Sequence, residues 1–184
     1  MQNLSDKALI DACLAGRSEV YEVLVRRHQQ KVFNVLYRFF GNYEASQDIC
    51  QEAFLTAYQK LDMFAGRSAF STWLCQIALN KARDLLRSNG ADTLCDDLED
   101  HVDALVAPAA TQPDHQVQQG QLNGQIQAIL NRMPSHYREV LILKHLEEHS
   151  IQEIASMLDD TEENVKVRTF RARQMFKQMY GALV

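Results

Sequence analysis

The chain has 184 residues, of which 46% are hydrophobic and 23% charged, enough for one large or two small globular domains. Glycine and proline are few, at 7 and 3, and alternating runs of β-branched residues are missing, so we expect an all-α fold. No apolar run approaches the roughly 20 residues that cross a bilayer, and no export signal is visible. These features favour a cytoplasmic protein.

The net charge of −5 is unevenly distributed along the chain. Residues 1–88 contain 11 basic and 9 acidic side chains, and residues 126–184 contain 8 of each, whereas residues 89–125 contain 7 acidic side chains and no basic one. The acidity therefore belongs to one segment.

The cysteines form no C-x-x-C pair, which favours reduced thiols over a metal or redox site; they are Cys13, Cys50, Cys75 and Cys95.

Helical spacing of apolar residues predicts four helices in the first domain, residues 1–88. They cover about residues 5–15, 18–40, 43–61 and 73–88. Ser71 or Thr72 is expected to cap the fourth helix, which follows a loop at residues 62–69. Its Trp73 and the polar side chains after it suit nucleic acid, because aromatic rings stack on bases while cations meet phosphates. A tryptophan buried at the start of a helix is the alternative.

Residues 89–119 lose this periodicity and contain Pro108 and Pro113, so they are expected to form a flexible acidic linker. Helical spacing resumes near Val117, and residues 120–184 form the second predicted domain. Pro134 suits the first turn of a further helix.

The stretch from Ser150 to Arg173 predicts a helix-turn-helix. Ser150 and Glu153 have the spacing of a capping box, and Ala155 and Val165 have the sizes and spacing expected where two such helices cross. The second helix has basic residues, as a helix that enters the DNA major groove requires. A helical hairpin with a solvated basic face is the alternative. Since neither domain is strongly basic, we expect weak DNA binding without a partner.

Three runs resemble the extracytoplasmic-function (ECF) group of bacterial RNA polymerase sigma factors, which contain only regions two and four. The runs are Asp48-Ile49-x-Gln51-Glu52-x-Phe54, then Phe70-Ser71-Thr72-Trp73-Leu74 continuing to Asn80, and finally Glu153-Ile154-Ala155 with Val165-Lys166-x-Arg168. Asp159 stands where family members usually have a glycine, and Glu163-Asn164 replaces a common Gly-Thr pair.

The resemblance implies a transcription initiation factor that binds core RNA polymerase and reads the −10 and −35 elements of promoter DNA. It implies no enzymatic activity and no cofactor, and an anti-sigma factor, often membrane-bound in the family, as a further partner. The residues that match the core-binding run are Asp48, Ile49, Gln51, Glu52 and Phe54. Those expected at the −10 element are Phe64, Ser71, Thr72, Trp73, Asn80, Lys81, Arg83 and Arg87. Those expected at the −35 element are Thr161, Asn164, Lys166, Val167, Arg168, Arg171 and Arg173.

Three other functions remain open. His145, Glu148 and His149 fit the H-x-x-E-H zinc-protease pattern, although no His or Cys follows within the next 35 residues. A stand-alone helix-turn-helix activator would bind duplex DNA without core polymerase. A protein-interaction scaffold would bind no nucleic acid.

Overall fold

The computed structural model of the chain describes residues 4–88 and 115–181, and these residues contain helices and turns but no strand. The all-α prediction is confirmed. Most of the predicted linker, with Cys95, lies outside the described residues. The helices are α1 (Asp6–Leu14), α2 (Tyr21–Phe40), α3 (Tyr43–Gln59), α4 (Phe70–Ser88), α5 (His115–Arg132), α6 (Ser135–Leu141), α7 (Ile151–Leu158) and α8 (Glu162–Gly181).

Several predicted boundaries were wrong by a few residues because short turns border the helices. A 3-10 turn occupies Ser18–Val20 where α2 was expected to begin, and another occupies Leu61–Met63 at the expected end of α3. The helix α4 begins at Phe70, so neither Ser71 nor Thr72 is its cap. The helix α5 begins at His115, inside the range predicted as linker.

The long helix α2 is central to the fold. It ends at Gly41, whose φ of +66° is the left-handed conformation that glycine adopts without steric cost, and the Gly41 amide donates to the Tyr37 carbonyl. Asn42 then caps α3 by accepting from the Ala45 amide at 3.0 Å. Five apolar side chains of α2 are buried, each stabilising the fold by about 1.5–3 kcal/mol; they are Leu24, Val32, Val35, Leu36 and Phe39.

The two halves of the chain lie against each other. The buried residues of α1 to α4 and of α5 to α8 form one continuous hydrophobic cluster. The helix α2 contacts α5 and α6, and α4 contacts α7. The sequence predicted two domains held only by a tether, and this direct packing was not expected. None of the described helices is both long and apolar enough to cross a membrane.

Candidate nucleic-acid interface

The helix-turn-helix has the local structure that its sequence predicts. The Ser150 hydroxyl accepts from the Glu153 amide at 3.2 Å, and the Glu153 carboxylate accepts from the Ser150 amide at 2.8 Å, which confirms the capping box. These bonds from Ser150 hold the pKa of Glu153 below its ordinary value. Asp159 then turns the chain with a φ of +53°, which explains why glycine is usual there. The Thr161 hydroxyl caps α8 by accepting from the Asn164 amide.

The helix α8 is anchored by one face. Val165 and Ala172 are fully buried, and the hydroxyl of the buried Thr169 donates to the Val165 carbonyl at 2.7 Å. Ala155 of α7 is also buried, as a close helix crossing requires. Because Val165 and Ala172 are fixed in the core, the opposite face of α8 is the exposed one.

Arg168 lies towards the inner side of this helix and is only 21% exposed, so its expected place near base edges stays a prediction. Its guanidinium pairs with Glu139 at 2.5 Å and with Asp160 at 3.0 Å, and it also donates to the His136 carbonyl. Burial favours a raised pKa for Asp160, but hydrogen bonds from Asn164, the Thr161 amide and Arg168 hold that pKa below its ordinary value. Arg168 therefore fastens α8 to α6.

The outer face of α8 combines cations with apolar side chains. Lys166 is exposed, with Glu162 3.9 Å away, and Arg171 and Arg173 are also exposed. Val167 is half exposed, and Phe170 is 64% exposed and also lines the groove that α8 forms with α5 and α6. Helical spacing did not mark Phe170 as exposed, because an apolar residue in such a pattern is more often part of the core. Apolar side chains on such a face can contact the methyl group of thymine.

Three aromatic rings form a cluster at the start of α4. The ring centroids of Phe64 and Trp73 are 5.1 Å apart, and Phe70 lies 5.8 Å from Phe64 and 5.9 Å from Trp73. Trp73 and Phe64 are half-buried, so neither side chain is fully enclosed by the protein. Thr72, at 3% exposure, is part of the core, so its expected contact with DNA is corrected.

A cavity of about 550 Å³ opens beside this cluster, between α1 and the loop at residues 64–70. Gly66, Ser68 and the ring of Phe64 line one side. Asp6 and Asp11 of α1 line the other. No local pattern predicted that α1 would reach this loop, because the two are at least 50 residues apart in the chain.

The cations of α4 are paired within the chain. Arg83 donates to the Asn80 side chain at 2.6 Å, and Arg87 pairs with Asp84 at 2.6 Å. Lys81 lies 3.2 Å from Glu52 of α3. The pairs of Lys81 and Arg87 involve exposed carboxylates and are worth only about 0–1 kcal/mol, so DNA phosphates can displace them. Arg83 differs, because it also lies 3.6 Å from the buried carboxylate of Glu139.

The exposed face of α3 continues next to Lys81. Asp48, Gln51 and Glu52 are exposed on it. Ile49 and Phe54, also expected at the polymerase, are each only 6% exposed and support the helix from inside, which corrects their assignment.

Two apolar side chains complete this face of α3; helical spacing predicted that one of them, Tyr58, faces the core, and it did not single out the other, Leu55. Leu55 is 64% exposed, and Tyr58 is exposed one turn further along. Acidic and amide groups beside an exposed leucine and tyrosine suit a protein partner better than DNA.

The two histidines of the zinc-protease pattern do not face each other across an open site. His149 is buried with its Nδ1 3.8 Å from Glu153, while His145 is exposed beside an apolar groove of about 540 Å³. Burial, followed by the charge of Lys31, lowers the pKa of His149 below its ordinary value. Within residues 4–88 and 115–181, no group of three His, Cys, Asp or Glu side chains could hold a metal ion.

Comparisons with known proteins agree with this arrangement. A family model described as Sigma-70 region 2 matches residues 24–91, and one described as Sigma-70, region 4 matches residues 123–176. The chain is 30% identical to an ECF RNA polymerase sigma-E factor of Haemophilus influenzae over 100% of this chain and 99% of that protein. It is also 30% identical to the ECF RNA polymerase sigma factor SigW of Bacillus subtilis, over 89% and 90%.

Two solved structures share the fold. The structure of CnrH in complex with the cytosolic domain of CnrY has a TM-score of 0.70 at 23% identity, over 96% of this chain and 97% of that one. The sigma factor RpoE, in complex with the anti-sigma factor NepR from Bartonella quintana, has a TM-score of 0.65 at 18% identity, over 88% and 96%. With two Sigma-70 regions in one chain and full-length relatives at 30% identity, the chain belongs to the ECF family of RNA polymerase sigma factors.

Proposed function

We propose that this protein binds core RNA polymerase in the cytoplasm and directs it to promoters by reading a −10 and a −35 element. One observation carries the proposal: a single chain combines an exposed face of acidic, amide and apolar side chains on α3, an aromatic cluster on α4 and a capped helix-turn-helix. A stand-alone activator needs only the last of these.

The proposed polymerase-binding surface is the face of α3 formed by Asp48, Gln51, Glu52, Leu55 and Tyr58. Leu55 and Tyr58 supply apolar area that a partner can bury, and the acidic and amide groups can form hydrogen bonds that orient the partner. The ion pair between Glu52 and Lys81 joins this face to the neighbouring helix α4. Polymerase and −10 DNA would therefore bind side by side.

The proposed −10 site is the aromatic cluster with the cavity beside it. A base that leaves the stack costs a few kcal/mol, and stacking on Trp73 or Phe64 offsets about 1–3 kcal/mol of that cost. Asn80, Lys81 and Arg87 lie further along α4, where they can meet the backbone of the opened strand. Ser68 and Asp11 offer polar atoms to the edge of a base in the cavity.

The proposed −35 site is the outer face of α8. Lys166 is the candidate for contacts with base edges, and Arg171 and Arg173 for contacts with phosphates. Val167 and Phe170 are candidates for thymine methyl groups. Thr161 and Asn164 are exposed at the start of the helix, where the polar groups of a recognition helix reach DNA.

An anti-sigma factor is a further proposed partner, because the RpoE structure that shares this fold contains one. The apolar groove of about 540 Å³ between α5, α6 and α8 is a candidate binding surface for such a protein.

In vitro transcription tests the proposal. Purified protein is added to core polymerase with fragments of its own genome, and start sites are mapped. We expect transcripts only when both proteins are present, and a mobility shift of promoter DNA only with core polymerase. A tight shift by the protein alone would favour a stand-alone activator, and no transcript from any fragment would overturn the proposal.

Phe170 gives a sharper test of the −35 site. Replacing each −35 thymine by uracil deletes one methyl group and leaves the hydrogen-bonding groups in place. We expect uracil at the contacted position to weaken binding of the holoenzyme with the unaltered protein, but not with Phe170→Ala. Equal losses for both proteins would remove Phe170 from the base-reading surface.

A further inference from the structure

One wall of the cavity beside the aromatic cluster comes from the helix α1. The loop at residues 64–70 forms the other wall. The match to Sigma-70 region 2 begins at residue 24, so α1 lies outside the matched region. A contact between α1 and DNA is therefore a feature that the family match does not supply. The side chains of α1 that line the cavity are Asp6, Lys7, Ile10, Asp11 and Leu14.

Contacts of Asp6 hold this wall in place. Its Oδ1 accepts from Nη1 of Arg27 at 2.9 Å, and its Oδ2 lies 2.7 Å from Nε2 of His28. The His28 ring in turn contacts Phe70 edge to face, with the two ring centroids 5.4 Å apart. Since Arg27 and His28 belong to α2 and Phe70 to the aromatic cluster, α1 and the cluster are held in one arrangement. A cavity with fixed walls can select a ligand by shape and by hydrogen bonds.

Asp11 is the second carboxylate of this wall, and it lacks such contacts. The side chain is exposed, and within residues 4–88 and 115–181 it forms no ion pair or hydrogen bond. An ionised carboxylate accepts hydrogen bonds and donates none. From the loop, the Ser68 hydroxyl donates only a long hydrogen bond of 3.5 Å to the Ala69 carbonyl. This hydroxyl can therefore turn towards a ligand in the cavity.

A carboxylate together with a hydroxyl distinguishes between the edges of the four bases. Adenine and cytosine carry an amino group at the position where guanine and thymine carry a carbonyl oxygen. The Asp11 carboxylate can accept from the amino group, whereas it repels the lone pairs of the carbonyl oxygen. The ring nitrogen next to the amino group is an acceptor, and the Ser68 hydroxyl can donate to it. The polar groups of the cavity therefore complement adenine or cytosine, once such a base has left the stack.

We propose that Asp11 is a specificity-determining residue of the −10 site, and that the cavity accepts an extruded adenine or cytosine through its amino group. Lys7 lines the cavity one turn before Asp11, where its ammonium group can contact the phosphate of the same nucleotide. This inference rests on the proposed function and names the class of base that α1 helps to read.

Fork-junction DNA tests the inference with the holoenzyme. The probe has the sequence of a mapped promoter, and its non-template strand is unpaired across the −10 element. Purine replaces each unpaired adenine in turn, and pyrimidinone replaces each unpaired cytosine, so that every replacement removes only an amino group. Holoenzymes with the unaltered protein, Asp11→Ala and Glu19→Ala are compared. Glu19 is the matched control, because it is an exposed acid in the turn after α1 and does not line the cavity.

We expect loss of the amino group at one position to weaken binding about ten-fold with the unaltered protein and with Glu19→Ala, as for a hydrogen bond to a charged group. With Asp11→Ala, the same replacement should change binding by less than about two-fold. Equal weakening with Asp11→Ala, or no weakening at any position with the unaltered protein, would overturn the inference alone, because the promoter is still bound. A holoenzyme that binds no such probe and opens no promoter would overturn the proposed function.

The variant Asp11→Asn gives a test that a folding defect cannot imitate. Its amide group can donate to a carbonyl oxygen, which the carboxylate cannot do. At the position found above, thymine in place of cytosine or guanine in place of adenine should weaken binding about ten-fold with the unaltered protein. With Asp11→Asn, the weakening should shrink to about two-fold or less. The same base preference in both proteins would contradict a contact between Asp11 and the base.

Discussion

The substitution Arg168→Ala removes the hydrogen bonds and ion pairs by which this side chain ties the helix α8 to α6 and to the turn before α8. It deletes the pair with Glu139, the 3.0 Å pair with Asp160 and the hydrogen bond to the His136 carbonyl. The carboxylate of Glu139 stays behind at 1% exposure. Because these contacts lie on the inner side of α8, we expect the main effect of Arg168→Ala to be a less stable protein, with the loss of base contacts as a smaller effect.

The size of the effect follows from burial. Removing one partner of a buried ion pair costs about 3–5 kcal/mol. The Arg168 side chain is 21% exposed and Arg83 remains 3.6 Å from the carboxylate, so solvent and the second arginine reduce the loss. We expect the free energy of unfolding to fall by about 2–3 kcal/mol, which lowers the urea midpoint by about 1–2 M.

Urea unfolding followed by circular dichroism measures this loss, with Lys166→Ala as the control. Lys166 is 60% exposed and its nearest acid is 3.9 Å away, so its removal should change stability by no more than about 0.5 kcal/mol. At low temperature, Arg168→Ala should still support transcription, whereas Lys166→Ala should lose −35-dependent transcription at every temperature. Equal midpoints for the two variants would refute the structural role of Arg168.

Three further outcomes are expected. Replacing Gln51 and Glu52 by alanine should weaken core polymerase binding about ten-fold without changing the circular dichroism spectrum, and Glu44→Ala on the same helix should not. Trp73→Ala should slow promoter opening, seen as less permanganate reactivity of unpaired thymines, while closed-complex binding remains. Burial lowers the pKa of the His149 imidazole in the folded protein. This side chain therefore takes up a proton more readily in the unfolded chain than in the folded one. The free energy of unfolding should therefore fall as pH drops below about 6.5, and His149→Gln should lessen that slope; an unchanged slope would contradict it.

Local signals in the sequence predicted the helix-turn-helix well. Ser150 and Glu153 act within one helical turn, and Ala155 and Val165 are buried as their size and spacing indicated. The all-α fold followed in the same way from apolar periodicity, which depends on neighbours a few residues apart.

Such local signals could not predict contacts between residues that are far apart in the sequence. The sequence places Arg168 among the basic residues of α8, and only the position of Glu139, 29 residues earlier, shows that its side chain points inward. Ile49 and Phe54 belong to a run that resembles a polymerase-binding motif, yet a run of residues mixes the inner and outer faces of a helix. For the same reason Leu55 and Phe170 were missed, since periodicity alone does not distinguish an apolar residue of the core from one on a binding surface.

Asp159 shows that the turn between α7 and α8 does not require a glycine. The left-handed conformation costs an L-residue about 1–2 kcal/mol, and somewhat less when the residue is aspartate. The packing of the two helices on either side of Asp159 offsets this cost. The orientation of α8 is therefore a property of its buried face, not of the freedom of one residue. A substitution at residue 159 should therefore change the stability of the turn more than the orientation of α8, whose buried Val165 and Ala172 stay in place.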